Sequence, residues 1–341
     1  MRILVVKLTS MGDTLHLLPA LSDLYSEFPD VVVDWMIEDS FCEIPTWHNS
    51  VDKVIPVSTR RWRSLNLKNV REFLSFVKNL REHHYDVILD AQGLMKSAAL
   101  SRFGKLNKGG RRVGFSAGSI KEKPAARFYT TRLDIARQQH AVDRLRQLFA
   151  CAFGYAEHQQ KPDYAVNISA ISVTMLPAKA ILLFPGTTWA SKHIPDQTWR
   201  DVVDAVLADG YSVAISWGNE KEKKRAQWIA KGHANAMVLK KSSLTQLATM
   251  LLESSGAIAV DTGLGHLAAA LGVPAVSVYG STAAALTGAV GENQNHLQSD
   301  YPCSPCFQKQ CAQLTTQVTE PPCYQKFTAS DIWEVLFQKI I

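Results

Sequence analysis

The chain has 341 residues, enough for two average domains, and its 46% hydrophobic and 20% charged residues exclude a disordered polymer. The net charge of +6 lies entirely in one half: residues 1–165 hold 24 basic and 18 acidic side chains, and the remainder hold 13 of each. A uniformly basic protein is thereby excluded, and the N-terminal half is expected to meet an anionic partner: a phosphate-bearing substrate, a membrane surface or a nucleic acid.

The opening MRILVVKLTS is too short an apolar run for a signal peptide and reads as a strand at residues 3–6. A helix is expected over 13–27. Strands follow at 31–37 and 53–57, a helix with apolar spacing at Phe73, Val77 and Leu80 over 70–81, and a strand at 87–90. A turn at Gln92-Gly93 leads to another helix, and 112–115 is a short strand. The pattern then restarts. Strands are expected at 180–184, 211–216, 257–260 and 275–279. Helices are expected at 195–208, where Pro195 suits the first position, and at 220–231, 243–253, 266–271 and 329–341. Alternating strands and helices imply parallel βαβ sheets. The expected organisation is α/β with two Rossmann-like domains, 1–165 and 175–325, and a final helix, 329–341, packing back on the core. No run of 18 apolar residues could span a bilayer, so a cytoplasmic protein with mostly reduced cysteines is expected.

In such sheets ligands bind beyond the carboxyl ends of the strands. Three turns qualify. Thr9-Ser10-Met11-Gly12-Asp13-Thr14 follows the first strand; a carboxylate such as Asp13 there is usually a helix cap, and its functional reading is a general base, while Lys7 reads as an edge residue pointing elsewhere. Phe184-Pro185-Gly186-Thr187-Thr188, followed by Lys192, combines exposed amides, hydroxyls and a mobile cation suited to phosphate oxygens, or is a plain surface turn. Asp261-Thr262-Gly263-Leu264-Gly265-His266 opens a helix whose amides favour anions; Asp261 could accept from sugar hydroxyls, and His266 could donate to phosphate or simply pack. Trp217 and Glu222 suit a purine and a ribose, or a buried core indole. Arg60, Arg61 and Arg63 around Trp62 can grip phosphates bidentately, or form a solvated charge run. A second basic region includes Lys105, Lys108, Arg111, Arg112, Lys121, Lys123, Arg127 and Arg132.

Cys303, Cys306, Cys311 and Cys323 form a C-x2-C-x4-C-x11-C series, a weak zinc candidate because the last two intervals fit no common module. Cys42 and Cys151 read as isolated buried residues. No D-x-D is present to hold the metal of a metal-dependent nucleotide-sugar enzyme, and no metal cofactor is expected.

In combination, the segment from Thr9 to Ala20, Ile55-Pro56-Val57 with Arg60–Arg63, Asp90-Ala91-Gln92-Gly93-Leu94 with Lys96-Ser97-Ala98, and Gln138–Val142 resemble the heptosyltransferases of lipopolysaccharide inner-core synthesis (glycosyltransferase family 9). Thr187-Thr188, Lys192-His193, Trp217-Gly218 and Asp261–His266 are similar to that family's donor-site segments. The resemblance implies a GT-B fold, two Rossmann-like domains facing a cleft. It also implies inverting transfer of L-glycero-D-manno-heptose from ADP-heptose to Kdo on lipid A. On it, Asp13 is the catalytic base, and Lys192 stabilises the departing ADP. Thr187, Thr188, Thr262, Gly263 and His266 hold pyrophosphate and sugar. Asp261 holds heptose hydroxyls, and Trp217 and Glu222 lie near adenosine. Arg60, Arg61 and Arg63 grip acceptor phosphates. The expected protein is a monomer that visits the cytoplasmic face of the inner membrane and has no nucleic-acid partner. A later-acting member of the same family is the nearest alternative, and a nucleotide-sugar-binding protein without turnover is the non-enzymatic one.

Overall fold

The computed structural model describes residues 1–64, 66–168 and 176–341. The chain divides into two compact units, Met1–Asn167 and Ile168–Ile341. The linker expected between residues 165 and 175 falls largely on 169–175, outside the described residues.

The first unit holds β1 (Arg2–Val6), β2 (Val32–Glu38), β3 (Val51–Val57), β4 (His84–Asp90), β5 (Lys105–Phe115) and β6 (Thr131–Leu133). All pair in parallel, in the order β3-β2-β1-β4-β5-β6. The second unit holds β7 (Ala180–Phe184), β8 (Ser212–Ile215), β9 (Ala236–Val238), β10 (Gly256–Val260), β11 (Ala275–Tyr279) and β12 (Gln294–Gln298). Its order, β12-β11-β10-β7-β8-β9, is the same winding read from the other edge. Each unit is therefore a Rossmann-type sheet, and its strand order reverses between first and fourth strands: β1 and β4, then β7 and β10. The turns leaving those four strands are where a doubly wound sheet binds its ligand.

The central strands are buried on both faces, which is why they read as nearly continuous apolar runs. In the first unit Leu4, Val6, Met36, Ile55 and Ile88 meet Phe76 and Leu80 of the helix Leu67–Leu80. In the second, Ile181, Leu183, Val213, Ile215, Ile258 and Val276 meet Trp199, Val202 and Val206 of the helix Asp196–Ala208. The final helix, Ala329–Ile340, packs Ile332, Trp333 and Leu336 into that second core, and Trp333 Nε1 donates to Asp209 at 2.5 Å.

Several expectations change. The helix expected over 13–27 is two helices, Met11–Leu15 and Leu18–Glu27, because Pro19 lacks the N–H that a continuous helix needs there. β5 begins seven residues before the expected strand; its first half is polar, and a register shift on β4 lies between Tyr85 and Val87. β6, β9 and β12 carry no clear apolar signal, since each is a short or polar strand at the edge of its sheet. The helix Ala141–Phe153 is capped by the His140 side chain and ends at Gly154, whose φ of 80° favours glycine.

Candidate active site

In the first unit the turn after β1 carries Asp13 at the third position of the helix Met11–Leu15. One carboxylate oxygen, Oδ2, accepts from the Ser10 amide at 2.8 Å and its hydroxyl at 2.9 Å. This is a capping box, so the cap reading is correct. The other oxygen, Oδ1, lies 3.9 Å from Lys7 Nζ, and the side chain is 45% exposed. One oxygen therefore orders the turn while the other stays reachable by a hydroxyl.

Lys7 is not an edge residue. β1 lies between β2 and β4, and the Lys7 ammonium is buried, donating to the Ala91 carbonyl at 3.3 Å. Burial pushes its pKa down, opposed by Asp13 and Asp90. The turn after β4 supplies what the sequence reading missed. Gln92 Oε1 accepts from the Leu8 and Thr9 amides at 3.0 and 3.1 Å and so ties the two turns together. Buried Asp90 in turn accepts from the Gln92 and Gly93 amides, Ser97 Oγ and Tyr129 OH. Burial raises its pKa against those four hydrogen bonds. The D-A-Q-G-L tract was the available signal, and it showed a turn but not what the turn holds.

The three arginines separate. Arg61 ion-pairs with Asp39 at 2.7 Å and Glu72 at 2.6 Å and also donates to Ser58 Oγ. Its guanidinium is thus held by the scaffold, although the side chain is 56% exposed. Arg60 and Arg63 are exposed, and their charges, after burial, help push the pKa of Lys96 down. Lys96 Nζ donates to Thr59 Oγ1 at 2.8 Å. Arg60 and Arg63 thus lie near enough to Lys96 to repel its charge, and Lys96 was not among the expected acceptor residues.

In the second unit the turns after β7 and β10 meet at an ion pair. Lys192 Nζ lies 2.5 Å from Asp261 Oδ2 and 4.6 Å from the centre of the Trp189 ring. Asp261 is buried, accepts from Thr282 Oγ1 at 2.6 Å, and has His266 Nε2 3.8 Å away. Burial alone would raise its pKa, but the contact with His266 and the Lys192 charge hold it well below the usual carboxylate range. Both close contacts of Asp261 fall on Oδ2, from Lys192 and Thr282, and Oδ1 faces His266 at 3.8 Å. The pair fixes the position of the Lys192 ammonium.

Thr187 is half-buried and Thr188 exposed, both in the turn between Phe184 and the short 3-10 helix Ala190–Lys192. Arg225 holds this turn: it donates to the Pro185 carbonyl at 2.8 Å and the Ile194 carbonyl at 2.7 Å, and it meets His193 and Asp196. No sequence pattern singled Arg225 out from the other charges of its helix. Thr262 precedes the helix Gly263–Ala270, which leaves the first amides of that helix facing the turn. A Cβ at Gly265 would stand 2.9 Å from Ser277 Oγ, so a larger residue there needs that side chain to shift. His266 is buried beneath the turn.

Trp217 is half-buried; its Nε1 donates to the Leu239 carbonyl at 2.7 Å, and Lys223 lies over its ring. Glu222 accepts from the Gly218 amide and from Asn219 Nδ2, both at 2.7 Å, and fills the space beside Gly186. Both therefore wall the turns after β7 and β8.

Cys303, Cys306, Cys311 and Cys323 line one small cavity with Ser191, Gly280 and Ser281. Burial, then the neighbouring thiols, push the Cys323 thiol up to about 12. Among the described residues no group of three or more His, Cys, Asp or Glu is arranged to hold a metal ion, so the spacing of these cysteines is not matched by coordination geometry. Cys42 is half-exposed and Cys151 exposed, against the expectation that both are buried.

Two Rossmann-type units, one carrying a half-exposed carboxylate and the other a half-buried lysine beside a helix start, define an α/β protein of the GT-B class. The profile of Glycosyltransferase family 9 (heptosyltransferase) matches residues 73–316, and the chain belongs to that family. It is 42% identical over 320 residues to the lipopolysaccharide heptosyltransferase 1 of Pseudomonas aeruginosa, covering 93% of this chain and 89% of that protein. The structure is similar to that of Escherichia coli heptosyltransferase WaaC with ADP: TM-score 0.85 at 34% identity, covering 99% of this chain and all of the other. It is also similar to the same enzyme with ADP-2-deoxy-2-fluoro heptose, with TM-score 0.83, 34% identity and 99% of each chain covered.

Proposed function

We propose that the chain transfers L-glycero-D-manno-heptose from ADP-heptose to a Kdo residue of lipid A, with inversion at the anomeric carbon. The Lys192–Asp261 pair at the strand-order reversal of the second unit carries this reading. It presents a fixed ammonium, beside helix amides, where a diphosphate leaving group needs one. The likeness to an enzyme described with ADP and with a fluorinated ADP-heptose supports the choice of donor.

In this reading the Kdo hydroxyl gives its proton to Asp13 Oδ1 as its oxygen attacks the anomeric carbon. The bond to ADP breaks on the opposite side. Lys192 and the amides at Gly263 take up the charge on the departing diphosphate, a task that Lys192 performs here in place of a metal ion. Thr187 and Thr188 offer hydroxyls to the same phosphates, and Trp217 and Glu222 wall the nucleoside. Arg60 and Arg63, with Lys96, meet the phosphates of the acceptor. The enzyme works as a peripheral protein of the inner membrane's cytoplasmic face; among the described residues no helix is long and apolar enough to cross a membrane.

The test is direct. Purified protein is incubated with ADP-heptose and Kdo–lipid A, and ADP release and acceptor mass are followed. One heptose is gained per acceptor. No gain on any Kdo-bearing acceptor refutes the proposal.

A further inference from the structure

The helix Leu67–Leu80 leaves an apolar strip uncovered. Leu67 is 79% exposed, Leu74 61% and Val70 43%. Spaced three and four residues apart, they share one face of the helix. Arg71 and Lys78 project beside them and Lys68 adjoins, all three exposed. The opposite face buries Asn69, Phe76 and Leu80. The helix is seated firmly: Phe73 meets Trp62 and Phe103 with ring centroids 5.3 Å apart in each pair, and Asn66 caps its first turn. Its single carboxylate, Glu72, is occupied by Arg61. The outward face is therefore apolar along one edge and cationic along the other, with no acid of the helix between them. It follows directly on Arg60 and Arg63, in the unit that holds the whole positive excess of the chain.

We propose that this face docks the protein on a bilayer surface rich in anionic headgroups, with Leu67, Val70 and Leu74 entering the headgroup–acyl boundary. Lys68, Arg71 and Lys78 then lie at headgroup depth. A surface-lying helix of this kind needs an apolar edge and basic flanks together, and either alone binds weakly. Three side chains are too little to cover the roughly 800 Å² per partner that a stable protein contact buries, which argues against a second copy as the occupant. The docking surface rests on the reading that the acceptor is carried by a lipid. It extends that reading by saying which face meets the membrane.

The experiment uses the full chain and sedimentation with vesicles of phosphatidylcholine, with and without phosphatidylglycerol. The unmodified protein binds the anionic vesicles and releases in high salt. The variant Leu67→Ser/Val70→Ser/Leu74→Ser binds them about tenfold or more weakly. Each of Lys68→Ser, Arg71→Ser and Lys78→Ser costs about fivefold. Neither set changes turnover of a delipidated, water-soluble Kdo acceptor, while both slow turnover of vesicle-borne acceptor. The three basic-residue variants leave the apolar positions intact, so they test the face independently of any folding defect in the triple serine variant.

Vesicle binding equal to that of the unmodified protein in both sets overturns the proposal. So does conversion of a dimer to a monomer by the serine variant with vesicle binding unchanged. If the helix mediates vesicle binding but no acceptor gains heptose, the proposed transfer fails and the docking surface stands. If heptose transfer occurs and the variants bind vesicles normally, the reverse holds.

Discussion

Asp13 is a helix cap and, in the proposed mechanism, the base as well, and one pair of substitutions tells the two duties apart. Its Oδ2 closes a capping box with Ser10, while Oδ1 lies toward Lys7 and solvent. Asp13→Asn keeps an oxygen that can accept from Ser10 but has no basic oxygen to take a proton. Asp13→Ala removes both. Loss of a cap costs about 1 kcal/mol, which for a unit of this size lowers Tm by about 2–4 °C. Loss of a general base lowers turnover by about 10²–10⁴-fold, or about 3–5 kcal/mol of barrier. If Asp13 is the base, both variants therefore slow ADP release by that factor at saturating substrates. Only Asp13→Ala loses measurable thermal stability, and both retain ADP affinity by titration calorimetry. An Asp13→Asn enzyme turning over near the unmodified rate would refute the reasoning and leave Asp13 as a cap alone.

Other expectations follow from the same geometry. His48 is buried between Ser22 and Ser50, and burial lowers its pKa from 6.5 to about 4, so it folds neutral. The unfolded chain binds the extra proton between those values. Stability is therefore full above pH 6.5 and falls as pH drops toward 4, by about 3 kcal/mol in total; denaturant melts across that range measure it, and His48→Gln flattens the slope. Arg63→Ala raises the acceptor KM and leaves Tm unchanged, whereas Arg61→Ala, which frees Asp39 and Glu72, disturbs thermal stability as well; steady-state kinetics with both substrates varied separates them. Gln92→Leu lowers kcat without weakening ADP binding, because it releases the Leu8–Thr9 backbone on the acceptor side only; equal losses in kcat and ADP affinity would count against that placement. In the proposed mechanism Lys192 supplies the positive charge, so chelation with EDTA leaves the transfer rate unchanged; a rate restored only by added divalent metal would contradict it.

Much of the fold was legible because central parallel strands are buried on both faces, and their apolar runs at β1, β4, β7, β10 and β11 stand out against amphipathic helices. The edge strands were not, since β6, β9 and β12 are too short or too polar to carry a pattern. The candidate site was legible as a set of turns. Asp13, Thr187, Thr188, Lys192 and the Asp261–His266 tract all follow predicted strands. What each side chain does there was not legible. Lys7 looked like an edge residue because alternation alone does not tell a central strand from an outer one. Arg61 looked equivalent to Arg60 and Arg63 because its partners, Asp39 and Glu72, lie 22 and 11 residues away.

The sequence by itself determined that this protein is two alternating α/β series, that its chemistry lies in the turns after certain strands, and that its positive excess belongs to the first series. Those are local properties, written in hydrophobic period, turn residues and composition. Only the tertiary structure decided which turns lie together: strand order places β1 beside β4 and β7 beside β10, although more than seventy residues separate each pair. That order pairs Lys192 with Asp261, ties Gln92 to the turn that carries Asp13, and removes Arg61 from the free cations. Electrostatic partners depend on distance in space, and the chain order of the residues does not contain it.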